Sequence, residues 1–116
     1  MHTIYVTVIV ATILANAGMA AADFAKARFV LANSAEVGVP PSAVPVLGVL
    51  KAAGAVGLLA GLLGFVPLGI AAAVGLVAFF LGALAVHVRA RVFYNIAFPG
   101  TYLALAAASL ALLFTR

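Results

Sequence analysis

Residues 44–88 read VPVLGVLKAAGAVGLLAGLLGFVPLGIAAAVGLVAFFLGALAVHV, a run in which Lys51 is the single formal charge. A bilayer-spanning helix needs roughly 20 mostly apolar residues. This run holds two such spans, about 44–63 and 68–88, parted only by Gly64-Phe65-Val66-Pro67. Proline suits a helix start, so those four residues read as a tight turn. Two antiparallel helices follow, with no room for a soluble domain between them. Working outward, two further apolar stretches qualify as spans. One runs over about 4–22 and ends at Asp23; the other covers about 95–114.

Composition agrees with this reading. Of 116 residues, 68% are hydrophobic and 7% charged, whereas a soluble domain carries about 25% charged residues. Six Lys/Arg and two Asp/Glu cannot clothe a water-facing globule. A disordered chain is excluded as well, since it needs low hydrophobicity and high charge. The sequence contains no cysteine, which removes disulfides, thiolate nucleophiles and cysteine-ligated metals. A net charge of +4, spread along the chain, makes no nucleic-acid patch; in a membrane protein it sets orientation.

The expected architecture is therefore all-α and integral to the membrane. It is a single antiparallel four-transmembrane-helix bundle over residues 1–116, because backbone satisfaction in lipid permits little else. The first connection is the exception to the short loops. Asp23 to Pro45 sets Lys26, Arg28, Asn33 and Glu36 among Phe24, Phe29, Val30 and Leu31, which suggests a continued first helix or an amphipathic interfacial segment. Pro40, Pro41 and Pro45 then forbid regular helix until the second span begins. The opening residues could also serve as a cleavable signal, with Ala20-Ala21-Ala22 as the small-residue site. His2 and Thr3 precede the apolar run without Lys or Arg, and the missing basic region argues for a retained span.

Basic residues give the expected orientation. Lys26, Arg28, Arg89 and Arg91 lie in the first and third connections, Lys51 lies just inside the second span, and the other side has only Arg116. The positive side stays cytoplasmic. The expectation is a multi-pass protein of the bacterial cytoplasmic membrane with both termini outside.

Lipid supplies no hydrophobic drive between helices, so small residues are expected to form the packing seams. Gly54, Gly57, Gly61 and Gly64 fall on one stripe of the second span. Ala71, Gly75, Ala78, Gly82 and Ala85 form another on the third. Gly57 to Gly61 is a GxxxG element, with none of the strand–turn–helix context of a phosphate loop.

The polar residues say more. At roughly 100° per residue, Tyr5, Thr12, Asn16 and Asp23 lie within about 40° of one another on the first helix. Asn95, Tyr102 and Ser109 recur every seven residues along the fourth, and Arg116 extends the series. Lipid cannot satisfy such groups, so both stripes should face the bundle interior or a wet cavity. Asp23, Lys51, His87, Arg89 and Asn95 gather near one membrane face. Asn16 and Tyr102 lie about 10 Å deeper. A polar inner vestibule closed by a drier outer half is expected, formed by Asn16, Asp23, Lys51, Asn95 and Tyr102.

Plainer roles compete at each position. Lys51 can snorkel to the interface or pair with Asp23 beside a ligand pocket. His87, opposite the third span's small-residue stripe, reads as an interfacial histidine touching headgroups. Arg89 and Arg91 read as anchors, and Asn16 and Tyr102 as interhelical hydrogen bonds worth about 1 kcal/mol. No catalytic constellation emerges. His2 and His87 belong to opposite faces, which excludes bis-histidine haem ligation, and one Asp, one Glu and separated histidines make no metal cluster. Ser34 and Ser42 are loop residues, and Ser109 lies at the wrong depth for a serine triad. No cofactor site is evident.

Several ordered stretches resemble the DoxX-like family of small four-span bacterial membrane proteins. They are Phe24-Ala25-Lys26, Gly38-Val39-Pro40-Pro41, residues 45–51, residues 68–73, residues 79–83, residues 87–91 and Asn95-Ile96-Ala97-Phe98-Pro99. The resemblance implies a four-helix membrane bundle. It also implies a link, in some relatives, to membrane redox assemblies that include subunits of thiosulfate:quinone oxidoreductase. Many relatives carry an acidic residue where Lys51 stands, so no role transfers there, and no catalytic residue transfers anywhere.

The expected function is a non-catalytic bundle. Its vestibule and glycine seams would bind a quinone or another lipophilic small molecule, or a partner membrane protein such as an oxidoreductase or a second copy, amid membrane lipid. Two alternatives stand beside it. A small proton-coupled drug exchanger would need a membrane-buried carboxylate. An accessory subunit of a quinone-linked redox complex rests on analogy.

Overall fold

The computed structural model describes residues 2–115; Arg116, which extended the fourth span's polar series and carried the outer charge count, lies outside them. Five α-helices are present, α1 (His2–Phe24), α2 (Arg28–Glu36), α3 (Val44–Leu62), α4 (Val66–Ala90) and α5 (Ala97–Phe114), with one 3-10 turn (Pro41–Ala43) leading into α3. Four of them, α1, α3 with its 3-10 turn, α4 and α5, are long and apolar enough to cross a membrane. The particle is 39 Å long, enough for a hydrocarbon core of about 30 Å and part of each interface. The four-helix bundle expected from the sequence is the fold.

Helix ends explain how the chain folds back. At the C-termini of α1, α2 and α3 the residue two past the last helical one takes a positive φ, Lys26 (50°), Gly38 (80°) and Gly64 (119°), and at the end of α4 the residue one past it does, Arg91 (57°). Each is followed by an amide that reaches back five residues, as in Ala27 N–H to the Ala22 carbonyl (3.1 Å) and Val92 N–H to the His87 carbonyl (2.9 Å). This is the Schellman arrangement, which satisfies the last carbonyls of a helix. Two of the four positions are glycine, the residue for which a positive φ is cheap. Lys26 and Arg91 place a cation at the negative end of a helix dipole instead. The first connection is thus a helix of its own, α2, broken from α1 at Lys26.

The long helices form a ring in which α1 packs on α3, α3 on α4, α4 on α5 and α5 on α1. The buried core gathers Tyr5, Ile9, Leu58, Ala73, Leu76, Phe80, Ala106 and Leu113. Between α3 and α4 the contact is closest at the Gly64 turn. A Cβ on Gly61 would lie 2.6 Å from the Gly69 Cα, and one on Gly57 2.5 Å from the Ala72 Cβ. Further along, Gly54 receives Leu76, whose Cδ2 would lie 2.6 Å from an added Cβ.

On α3, Gly54, Gly57 and Gly61 face α4, each with an α4 atom within 3.0 Å of where a Cβ would stand; the other small residues expected at seams lie elsewhere. Gly64 is exposed and serves the turn. Ala71, Gly75, Ala78, Gly82 and Ala85 are all exposed, on the outer face of α4, and Gly75 and Gly82 have no atom within 4 Å of where a Cβ would stand. The reason is physical. The face of α4 that meets α3 carries Gly69, Ala72 and Leu76, which stand against Gly61, Gly57 and Gly54, so the alanine and glycine stripe on its other face is left outside.

Candidate ligand cavity

The polar stripe of α1 turns inward along its whole length: Tyr5, Thr12, Asn16 and Asp23 are all buried. Thr12 Oγ1 lies 2.9 Å from Ser109 Oγ on α5, and it donates to its own helix at the Val8 carbonyl (2.8 Å). Asn16 donates Nδ2–H to the Thr12 carbonyl (2.9 Å). Tyr102 on α5 donates its hydroxyl to the Ala15 carbonyl (3.2 Å). The Thr12–Ser109 and Tyr102–Ala15 bonds knit α1 to α5 in the middle of the bundle, where lipid could not have satisfied them.

Nearer the α2 end the stripe reaches Asp23, 1% exposed. Lys51 Nζ donates to Asp23 Oδ2 at 2.8 Å. Gly48, one turn before Lys51, lets α3 come this close: a Cβ there would sit 3.0 Å from the Asp23 Cβ and 3.1 Å from Phe24 Cε1. The ammonium also stands 5.4 Å from the centre of the Phe79 ring, a distance at which the ring face attracts a cation. Neither charge could be left alone at this depth, because an uncompensated buried ion costs several kcal/mol.

Beyond Lys51 and Phe79 a cavity of about 730 Å³ is lined by residues of all five helices, α2 among them. Its wall on α4 and α5 is aromatic. Phe79 meets Phe80 edge-on at 4.9 Å, Phe80 meets Tyr102 at 5.3 Å, and Tyr102 stacks on Phe98 at 6.0 Å. His87 belongs to the same wall and is 3% exposed. Its Nδ1 bonds the Ala83 carbonyl (2.8 Å), while Nε2 is buried without a partner.

Helix α2 covers the cavity and is tied across it to the α4–α5 connection by two side-chain bonds. Asn95 Nδ2 donates to Asn33 Oδ1 at 2.7 Å, and the Tyr94 hydroxyl donates to Glu36 Oε1 at 2.5 Å. By accepting that proton, the Glu36 carboxylate holds the Tyr94 phenol above its ordinary value of 10.0, with desolvation adding to the effect.

Of the five residues assigned to the vestibule, Asp23, Lys51, Asn95 and Tyr102 line the cavity. Asn16 does not. It is buried deeper, where α1 and α5 have closed on each other, and its amide serves α1. Asn95 stands before α5 in the connection rather than on the helix. The interfacial role expected for His87 is corrected too. α4 extends to Ala90, and His87 falls in phase with Ala73 and Phe80, seven residues apart on the buried stripe, so its ring turns into the bundle. That phase was available in the sequence; the outer stripe of small residues drew attention to the opposite face. Gly48, the aromatic wall and the Asn33 and Glu36 ties were missed, since each depends on how two helices meet.

The arrangement offers a mostly apolar chamber with an ion pair at one edge and a single imidazole edge unpaired. Its residues suit non-covalent capture of a small lipophilic molecule. The family model described as the DoxX-like family matches residues 6–109. No curated protein and no solved structure matches the chain.

Proposed function

The chain belongs to the DoxX-like family, and on that footing we propose that it is a non-catalytic binding bundle whose cavity takes a lipophilic small molecule. The observation that carries this reading is the chamber itself. About 730 Å³ falls within the roughly 300–1,000 Å³ of small-molecule sites, and its lining is apolar apart from a few convergent polar groups. A quinone has the right shape for such a chamber, as do other flat amphiphiles. Lys26, Arg28, Arg89 and Arg91 stand at the α2 end, so we assign that end to the cytoplasmic face of a bacterial inner membrane, with both termini outside.

The exchanger reading finds less support. An exchanger's carboxylate must be free to trade a proton for a cationic substrate, and Asp23 already has Lys51 at 2.8 Å. The accessory-subunit reading has no specific feature of the chain behind it.

The test is native mass spectrometry of the protein purified in mild detergent, beside Ala83→Phe, which fills the chamber from α4. A small-molecule adduct on the wild type, lost in Ala83→Phe while helical content and melting are kept, is the expected result. An adduct that survives the filled cavity would refute the reading.

A further inference from the structure

Taking the cavity to be a ligand site, as above, we infer that its ligand is a lipophilic phenol, the ring lying against the Phe80–Tyr102–Phe98 wall and the O–H donated to Nε2 of His87. The argument begins with the histidine. A carbonyl oxygen only accepts, so the 2.8 Å contact with Ala83 requires the proton on Nδ1. In the neutral ring Nε2 then holds a lone pair and no hydrogen. It is buried and unpartnered, and native structures leave few such groups without a protein group, a water or an ion to meet them.

A second residue of the cavity lining carries an atom in the same state. Asn95 gives Nδ2–H to Asn33, and its Oδ1 is buried without a partner. Both orphans are acceptors. The strong donor nearby, Lys51, is already engaged with Asp23 and the Phe79 ring. A ligand that satisfies this wall must therefore bring hydrogen, which a ketone, ether or ester does not.

The aromatic wall narrows the class further. Three rings in succession, 5.3 and 6.0 Å between centres, offer faces and edges that an aromatic guest matches better than an acyl chain. A phenolic O–H is also a stronger donor to imidazole than an aliphatic alcohol. The tail of such a molecule has a route to lipid: Leu50, Ala78 and Gly82 line the cavity and are themselves exposed, on the outer faces of two spanning helices.

The experiment compares para-hexylphenol with its methyl ether, para-hexylanisole, by calorimetric titration of the detergent-solubilised protein against a detergent blank. The ether keeps ring and tail and loses only the donor. The phenol should bind about tenfold more tightly, the worth of one neutral hydrogen bond, and His87→Leu should bring the two together. In ¹⁵N-labelled wild-type protein the Nε2 resonance of His87 should move upfield with the phenol and stay put with the ether, a readout that needs no variant to fold. Equal affinities, or an unmoved Nε2 signal, overturn the phenol assignment and leave the cavity reading standing. Failure of both compounds to bind overturns the two together.

Discussion

Lys51 and Asp23, on neighbouring helices and 28 positions apart, form a buried ion pair at 2.8 Å. Each is the reason the other can be there. Lys51→Met should strand the Asp23 carboxylate and lower stability by about 3–5 kcal/mol. Asp23→Leu combined with Lys51→Met should lose far less than the two single losses together, because no charge then remains to be compensated. Thermal unfolding in detergent around this double-mutant cycle decides the matter, and additive losses would show that the pair is not coupled.

Glycines on the two faces of the α3–α4 pair should respond in opposite ways. Gly61→Ala sets a methyl group 2.6 Å from the Gly69 backbone, where only a shift of one helix can relieve it, and overpacking of this kind costs about 1–3 kcal/mol. Gly75→Ala meets nothing within 4 Å and should match or exceed the wild type by up to about 1 kcal/mol of helix propensity. Melting temperatures of the two variants, measured side by side, check this.

The Thr12–Ser109 contact, 2.9 Å between hydroxyl oxygens, is a hydrogen bond between membrane helices whose alternative partner is not water. Thr12→Val and Ser109→Ala should show a coupling of about 0.6 kcal/mol, the usual scale for such bonds. A coupling of zero would mean that each hydroxyl is satisfied by its own helix.

Tyr94 supplies a pH dependence. Its phenol is raised above 10.0 in the folded chain because Glu36 accepts its proton. A group whose folded value is raised contributes below its unfolded value and loses that contribution as pH climbs through the folded one. The tie between α2 and the α4–α5 connection should therefore hold at neutral pH and release only above pH 10. Tyrosinate absorbance, taken as a difference against Tyr94→Phe, should show Tyr94 ionising at a lower pH in Glu36→Gln than in the wild type. Coincident curves would remove Glu36 as the cause.

Much of this was readable from single positions. Long apolar runs gave the spans, Gly64 gave one of the turns, and the helical spacing of Tyr5, Thr12, Asn16 and Asp23, 7, 4 and 7 positions apart, gave the inward face of α1. What escaped depended on pairs of helices. Small residues on α4 looked like a seam because a stripe of alanine and glycine carries no sign telling lipid from protein; only the seating of Leu76 on Gly54, with Ala72 on Gly57 and Gly69 on Gly61, resolves it. His87 went with that error. Lys26 and Arg91 stop their helices in a conformation that side chains seldom favour, so the sequence offers no glycine to mark the stop.

The Gly61–Gly69 approach has a mechanical meaning for the rest of the molecule. Two rods pinned backbone to backbone at one end act like a clothes-peg, and the gap at the other end is set by the angle at the pin. The width of the cavity beside His87 is thus governed in part at a spot distant from it, and changes of bulk near the hairpin bend should be felt as changes in cavity volume at the α2 end.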